Sequence, residues 1–188
     1  MMMMMATGEH QLTKWLTPVT KPYTLSLSNE GHLLVLRESQ NILEVYSLNA
    51  TLIHRLRLSQ EVKDARHVVQ TSIETFLLLH RLNDSSSAPF VISELANDGH
   101  LVQRFVSRSQ SEELSNPTYL SLDEDNNLLF VADYGNNRVV LFDSNVLTWK
   151  QVLLANGIHY PMRLLYDTNK KHLFVAQHHA RVAVYKLN

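Results

Sequence analysis

A phrase that recurs 44 positions on (Pro117 to Pro161, Phe130 to Phe174), four short strands in each copy and no run of helical periodicity predict an all-β fold of the β-propeller type. The clearest copy reads NPTYLSLDEDNNLLFVADYGNNRVVLFDSNVLTWKQVLLA from Asn116. TYLSL alternates, as a strand with one buried face does. DEDNN is a turn built from residues that bond their own backbone or accept a left-handed conformation. LLFVAD is a near-continuous apolar run, as expected of a strand buried among its neighbours. YGNN makes a second turn, and RVVLFD and TWKQVLLA supply the third and fourth strands.

The same phrase returns as YPMRLLYDTNKKHLFVAQHHARVAVYKLN, where Tyr185 answers Phe142 and one residue is deleted in the second turn. An earlier copy is KPYTLSLSNEGHLLVLRESQNILEVYSLNATLIHRLRL, where Pro22 answers Pro117 and TLSL answers YLSL. A more divergent copy has the strands HVVQT, TFLLLH, FVISEL and HLVQRFV, with LNDSSSAP lengthening one hairpin. The expected organisation is a disordered segment 1–9 and one domain over 10–188. Its blade modules are 18–58, 63–107, 115–155 and 159–188. The segment HQLTKWLT at 10–17 resembles the outer strands TLIHRLRL and HLVQRFVS. Pairing of 10–17 with 181–187 would complete the last blade and leave no exposed sheet edge. If the ring instead stays open, the chain is expected to oligomerise.

Composition narrows the functional classes. The chain has 188 residues, 45% hydrophobic and 19% charged, which fits a folded domain with its own core. Lys plus Arg is 17 and Asp plus Glu is 18, so no overall positive field marks it for nucleic acid. There is no cysteine, which removes disulfides, thiolate metal sites and cysteine nucleophiles. A cytoplasmic location and no membrane partner are expected. The opening MMMMMATGEH lacks a basic leader, and no segment approaches the roughly 20 apolar residues of a span.

NPTYLSLDEDNN followed by LFVADYGNNRVVLF resembles an NHL repeat, through Pro117, Asp123, Val131, Ala132, Asp133, Asn137 and Arg138. The last module keeps Arg181 but has Gln177 at the Asp position. The first has Arg37 at the Asp position and Ile42 at the Arg position. NHL-repeat proteins are usually six-bladed propellers, so four modules depart from the pattern. The resemblance implies a non-catalytic scaffold that binds a protein or peptide, related to the target-recognition modules of tripartite-motif-type ubiquitin ligases. It carries no expectation of a cofactor, a resident metal or a catalytic residue.

In a propeller the turns between second and third strands gather on one side. That places Arg37, Glu38, His80, Arg81, Asp133, Tyr134, Asn136, Arg138, His178 and His179 on the expected binding face. Asp133 and Arg138 read as structural, the carboxylate accepting turn N–H groups and the guanidinium reaching an adjacent blade. His178 and His179 are adjacent, so on a strand they point to opposite faces unless the turn twists them together. Trp15 and Trp149, in outer strands, read as packing inside their blades. Two alternatives accompany the scaffold reading. One is a single-stranded RNA-binding propeller using the basic stretch His54, Arg55, Arg57, Lys63, Arg66 and His67. The other is a metal-dependent hydrolase or lyase, with Zn²⁺ or Ca²⁺ near the axis and His179 or Asp133 among the ligands.

Overall fold

The computed structural model describes residues 4–5, 11–12, 22–28, 30–37 and 41–187. Two short strands, β1 (Met4–Met5) and β2 (Gln11–Leu12), pair with each other. The first blade is β3 (Pro22–Leu27), β4 (Leu33–Arg37), β5 (Ile42–Tyr46) and β6 (Leu52–Arg57). The second is β7 (Lys63–Gln70), β8 (Phe76–Arg81), β9 (Phe90–Leu95) and β10 (Leu101–Phe105). The third is β11 (Tyr119–Asp123), β12 (Leu128–Asp133), β13 (Arg138–Asp143) and β14 (Thr148–Leu154). The fourth has three strands, β15 (Pro161–Asp167), β16 (His172–Gln177) and β17 (Arg181–Lys186). Every ladder is antiparallel between chain neighbours. The chain therefore has the four-bladed, all-antiparallel β-propeller fold that its repeat predicts.

Local chemistry sets the turns. Asn41, Asn127 and Asn137 all take left-handed backbone angles in hairpins between strands, a conformation that asparagine tolerates better than most side chains. The inner strands β3, β7, β11 and β15 lie side by side. They are tied by polar bridges rather than ladders. Ser26 Oγ donates to Val68 O at 2.5 Å, Leu120 N to His67 Nδ1 at 3.4 Å, and Thr118 Oγ1 to Pro161 O at 3.1 Å.

Apolar cores lie between consecutive blades, because alternate side chains of each strand face opposite neighbours. Leu34, Leu36, Leu43 and Val45 of the first blade meet Val68, Phe76 and Leu78 of the second. Leu77, Leu79 and Ile92 meet Leu120, Leu129, Val131 and Val140. Phe130, Ala132, Val139 and Leu141 meet Leu164, Leu173 and Val175. Trp149 packs edge-on against Phe142, with ring centroids 5.4 Å apart, as an intrablade role requires.

The expected closure by 10–17 is corrected for its described part. Gln11–Leu12 pairs with Met4–Met5, and no ladder among the described residues joins it to β17. The rest of 10–17, Trp15 included, lies outside the described residues.

One turn is packed too tightly for any side chain but hydrogen. Gly135 N donates to Ser115 O at 2.7 Å. A Cβ on Gly135 would lie 2.7 Å from that same oxygen and would also press on Ser115 Oγ. Ser115 cannot retreat freely, since its N–H is held by Asp133 Oδ1 at 2.7 Å. Gly135→Ala is expected to cost about 1–3 kcal/mol, the usual range for overpacking. A thermal melt checks this, and a midpoint equal to that of the unmodified chain would refute the close approach.

Candidate functional site

Hairpin turns β8–β9, β12–β13 and β16–β17 share one side of the fold with the connections that enter β11 and β15. Several residues expected on this side instead hold the fold together. Asp133 is fully buried, and its carboxylate accepts from Ser115 N, Asn136 Nδ2 at 2.8 Å and Arg138 Nε at 2.6 Å. Burial pushes this carboxyl up, while Asn136, Arg138 and Ser115 N–H pull it down; the net direction is upward. Arg138 also donates to Ser111 O and Glu113 O, and Asn136 to Glu113 O, which fastens the connection before β11 onto the hairpin. Gln177 takes the same place in the fourth blade, its Oε1 accepting His159 N at 2.6 Å.

His80 is corrected from surface to interior. It is fully buried, with Nε2 against Ser93 Oγ and Nδ1 against Arg81 O, both at 2.8 Å. Arg37 lies against its own blade, Nε donating to Glu44 Oε2 at 2.9 Å. Glu38 lies outside the described residues. Arg81 binds Ser86 O and Ala88 O and covers the Phe90 ring at 4.2 Å.

Tyr134, His178 and His179 do come together, and they gather Tyr160. The Tyr134 and Tyr160 ring centroids are 5.1 Å apart, Tyr160 and His178 are 6.2 Å apart, and His178 and His179 are 4.3 Å apart. The two imidazoles converge because the turn is left-handed at His179 and Ala180, with φ of 66° and 58°. An extended strand would have splayed them. The backbone holds the group in place: His178 N donates to Tyr160 O, and Tyr160 N donates to Asn137 Oδ1 at 2.8 Å. Tyr160, His178 and His179 are exposed.

On the far side of the 134–137 turn opens a cleft of about 740 Å³ between the second and third blades. Its walls include Arg81, Ser87, Gln110, Glu113, Asn116 and Asn136. Nearer the axis, His67, Tyr119 and Arg163 occupy matching positions on three successive inner strands. His67 stacks on Tyr119 at 3.6 Å, and the Arg163 guanidinium lies 5.2 Å from the Tyr119 centroid. Burial, aided by the Arg163 charge, pushes His67 down to about 3.

Both chemical alternatives fare differently from expectation. The basic stretch makes no continuous positive face: Arg55 pairs with Glu44 at 2.6 Å, Lys63 with Asp84 at 3.2 Å and Arg66 with Asp64 at 2.7 Å, while His67 is buried. Among the described residues no three His, Asp or Glu side chains converge on a metal-sized site. Asp133, one of the two expected ligands, is committed to its three donors.

Tyr160, Asn137 and the His67–Tyr119–Arg163 row were not anticipated. Tyr160 precedes the Pro161 that opens a module, so its place in a repeat connection was a usable signal. The axial row is hidden by a register shift between Lys63 and His67 in β7, which offsets the second module from the others.

No protein-family model matches the chain, and no curated protein sequence matches it. Membership of the NHL-repeat family is therefore not supported, and the four-bladed propeller fold is what stands. Solved structures match it in fold. A gluconolactonase from Xanthomonas campestris matches at a TM-score of 0.65 and 13% identity, over 86% of this chain and 57% of that one. A chain of a nidogen/laminin complex matches at 0.68 and 18%, over 96% and 65%. A virginiamycin B lyase from Staphylococcus aureus matches at 0.58 and 10%, over 93% and 58%. The chain thus spans less than two thirds of each. Enzymes among these neighbours overturn the step from propeller to non-catalytic scaffold, and that expectation is corrected. No helix among the described residues is long and apolar enough to cross a membrane.

Proposed function

We propose that the hairpin side carries a lyase or ester-hydrolase site working by general acid–base catalysis. The convergence of His178 and His179 beside the Tyr160 phenol is the observation that carries this reading. Both reaction classes need a base near neutral pH. An elimination takes a proton from carbon, and hydrolysis of a cyclic ester takes one from water. An imidazole suits either task, and a phenol beside it can return a proton to the leaving oxygen. His178, next to Tyr160, is assigned as the base and Tyr160 as the acid. Two of the structural neighbours lend support, one a gluconolactonase and the other a lyase whose histidine-to-alanine variant is catalytically inactive. The nidogen/laminin neighbour supports a protein partner in addition.

The test is turnover of a sugar lactone and of quinupristin, the compound held by the lyase neighbour. His178→Gln is expected to lower kcat/KM by about 100-fold or more, with an unchanged melting midpoint. Tyr160→Phe should lower kcat with little change in KM. No turnover of either compound, or equal rates in His178→Gln and His179→Gln and the unmodified chain, would overturn the assignment.

A further inference from the structure

The sequence has one Asn-Gly step, Asn156–Gly157, and it lies in the connection between β14 and β15. We propose that this step is a covalent modification site, where Asn156 converts in water to isoaspartate and aspartate within the folded chain.

The reaction is internal. Gly157 N gives up its proton and attacks the side-chain carbonyl carbon of Asn156. A new C–N bond closes a cyclic imide, the Cγ–Nδ2 bond breaks, and the amide nitrogen leaves with the proton as ammonia. Water then opens the ring. Opening at the backbone carbonyl runs the main chain through the side chain and gives isoaspartate. Opening at the side-chain carbonyl gives aspartate. Each product gains a negative charge, and nothing is oxidised or reduced.

Ring closure needs a free nitrogen, an uncrowded attacking residue and a segment able to move. Asn156 and Gly157 are both exposed. Among the described residues Gly157 N donates no hydrogen bond. Gly157 has φ of +77°, and no heavy atom beyond its chain neighbours lies within 4 Å of the place a Cβ would take. Asparagine is a thermolabile residue, and exposed loop tips are where covalent change concentrates.

Other turns are protected by the bonds that form them. The N–H that follows Asn49, Asn126 and Asn136 donates to Ser47 O, Glu124 O and Tyr134 O respectively. The N–H that follows Asn145 and Asn169 donates to the Asp143 and Asp167 carboxylates. Asn116 precedes Pro117, which has no N–H. Asp98–Gly99 could close the same ring, but it is held twice. Gly99 N donates to Ala96 O at 2.9 Å, and the Asp98 carboxylate accepts from His100.

The connection has little slack. Leu154 packs on the core between the third and fourth blades, and Ile158 is buried in it. His159 N is held by Gln177 and Tyr160 N by Asn137. Isoaspartate lengthens the main chain by one carbon, which residues 155–157 must absorb. Aspartate changes the charge alone. The isoaspartyl form therefore loosens the contact between these two blades, and the aspartyl form does not. None of this depends on the catalytic assignment of His178 and Tyr160.

The experiment incubates the full chain at neutral pH and body temperature, beside a free peptide of residues 153–160, and follows both by peptide mass spectrometry. The folded chain is expected to gain one mass unit in the segment that carries Asn156, before any other asparagine changes and within a few-fold of the rate in the free peptide. The gain should be faster at mildly alkaline pH, since Gly157 N attacks without its proton. A protein isoaspartate methyltransferase should then label the same segment, and should leave Asn156→Gln unlabelled, because the longer side chain closes its ring far more slowly. After chromatographic separation, the isoaspartyl form should melt below the unmodified chain, whereas Asn156→Asp should melt with it. An Asn156 that stays intact in the folded chain while the free peptide converts, or another asparagine that converts first, would overturn the site. An isoaspartyl form that melts with the unmodified chain would overturn its effect on the blade contact.

Discussion

Acidification from pH 7 to pH 4 is expected to remove most of the fold's stability, through two buried histidines of the second blade. His67 is pushed down to about 3 by burial and by Arg163, and His80 to about 4 by burial first and by the Arg104 charge. Geometry explains the second value. If His80 Nδ1–H donates to Arg81 O, its Nε2 accepts from Ser93, whose Oγ already receives the Arg104 Nε hydrogen at 3.0 Å. A proton on Nε2 would face a filled site beside a guanidinium. The sign follows from linkage: below pH 6.5 the unfolded chain binds a proton at each imidazole and the folded chain does not, so stability falls as pH falls. Each contributes a slope of up to about 1.4 kcal/mol per pH unit. The window runs from pH 6.5 down to about 4 for His80 and about 3 for His67. The combined loss by pH 4 is on the order of 6 kcal/mol, comparable with the whole stability of an ordinary domain. Urea unfolding at pH 7, 6, 5 and 4 measures it. His67→Asn keeps an acceptor for Leu120 N and should roughly halve the slope. A midpoint that is flat across this range would contradict the neutral, buried state of both rings.

Removing the Asp133 carboxylate should be the most damaging single change on the hairpin side. Asp133→Ala takes away the acceptor of Arg138 Nε and of Ser115 N–H and one of the two acceptors of Asn136 Nδ2, and it leaves the Arg138 charge with backbone carbonyls alone. Breaking one side of a buried ion pair costs about 3–5 kcal/mol, since the surviving charge stays buried. Gln177→Ala, at the matching place in the fourth blade, loses a neutral acceptor for His159 N. Its expected cost is smaller, about 1–2 kcal/mol. Denaturant midpoints of the two variants make the comparison, and equal costs would show that the charge at Asp133 contributes nothing beyond a hydrogen bond.

That contrast also marks what the chain makes legible. The blades can be read because LLFVAD and RVVLFD are apolar runs bounded by Asn-rich turns, and burial of both faces demands such runs. The structural role of Asp133 and Arg138 can be read too, since short-range turn chemistry needs no distant partner. The convergence of His178 and His179 could not, because it depends on two successive left-handed residues, His179 and Ala180, neither of them glycine or asparagine. His80 looked like a turn residue by its position in the repeat. It is instead part of strand β8, its ring held inside the blade between Arg81 O and Ser93 Oγ. Chemistry was the least legible, because a propeller spreads a site over several blades and no local motif records it.

The three cores have a further consequence for how the molecule opens. Among the described residues the second and third blades each contribute to two of the apolar cores, the first and fourth to one. Stability in such an array is close to a sum of nearest-neighbour terms, so amide protons of the outer blades should exchange with solvent before those of the inner pair. Heat then frays the array from its ends. Acid works from the middle, because both of the proton-sensitive imidazoles belong to the second blade. One protein thus has two orders of unravelling, selected by which stress is applied.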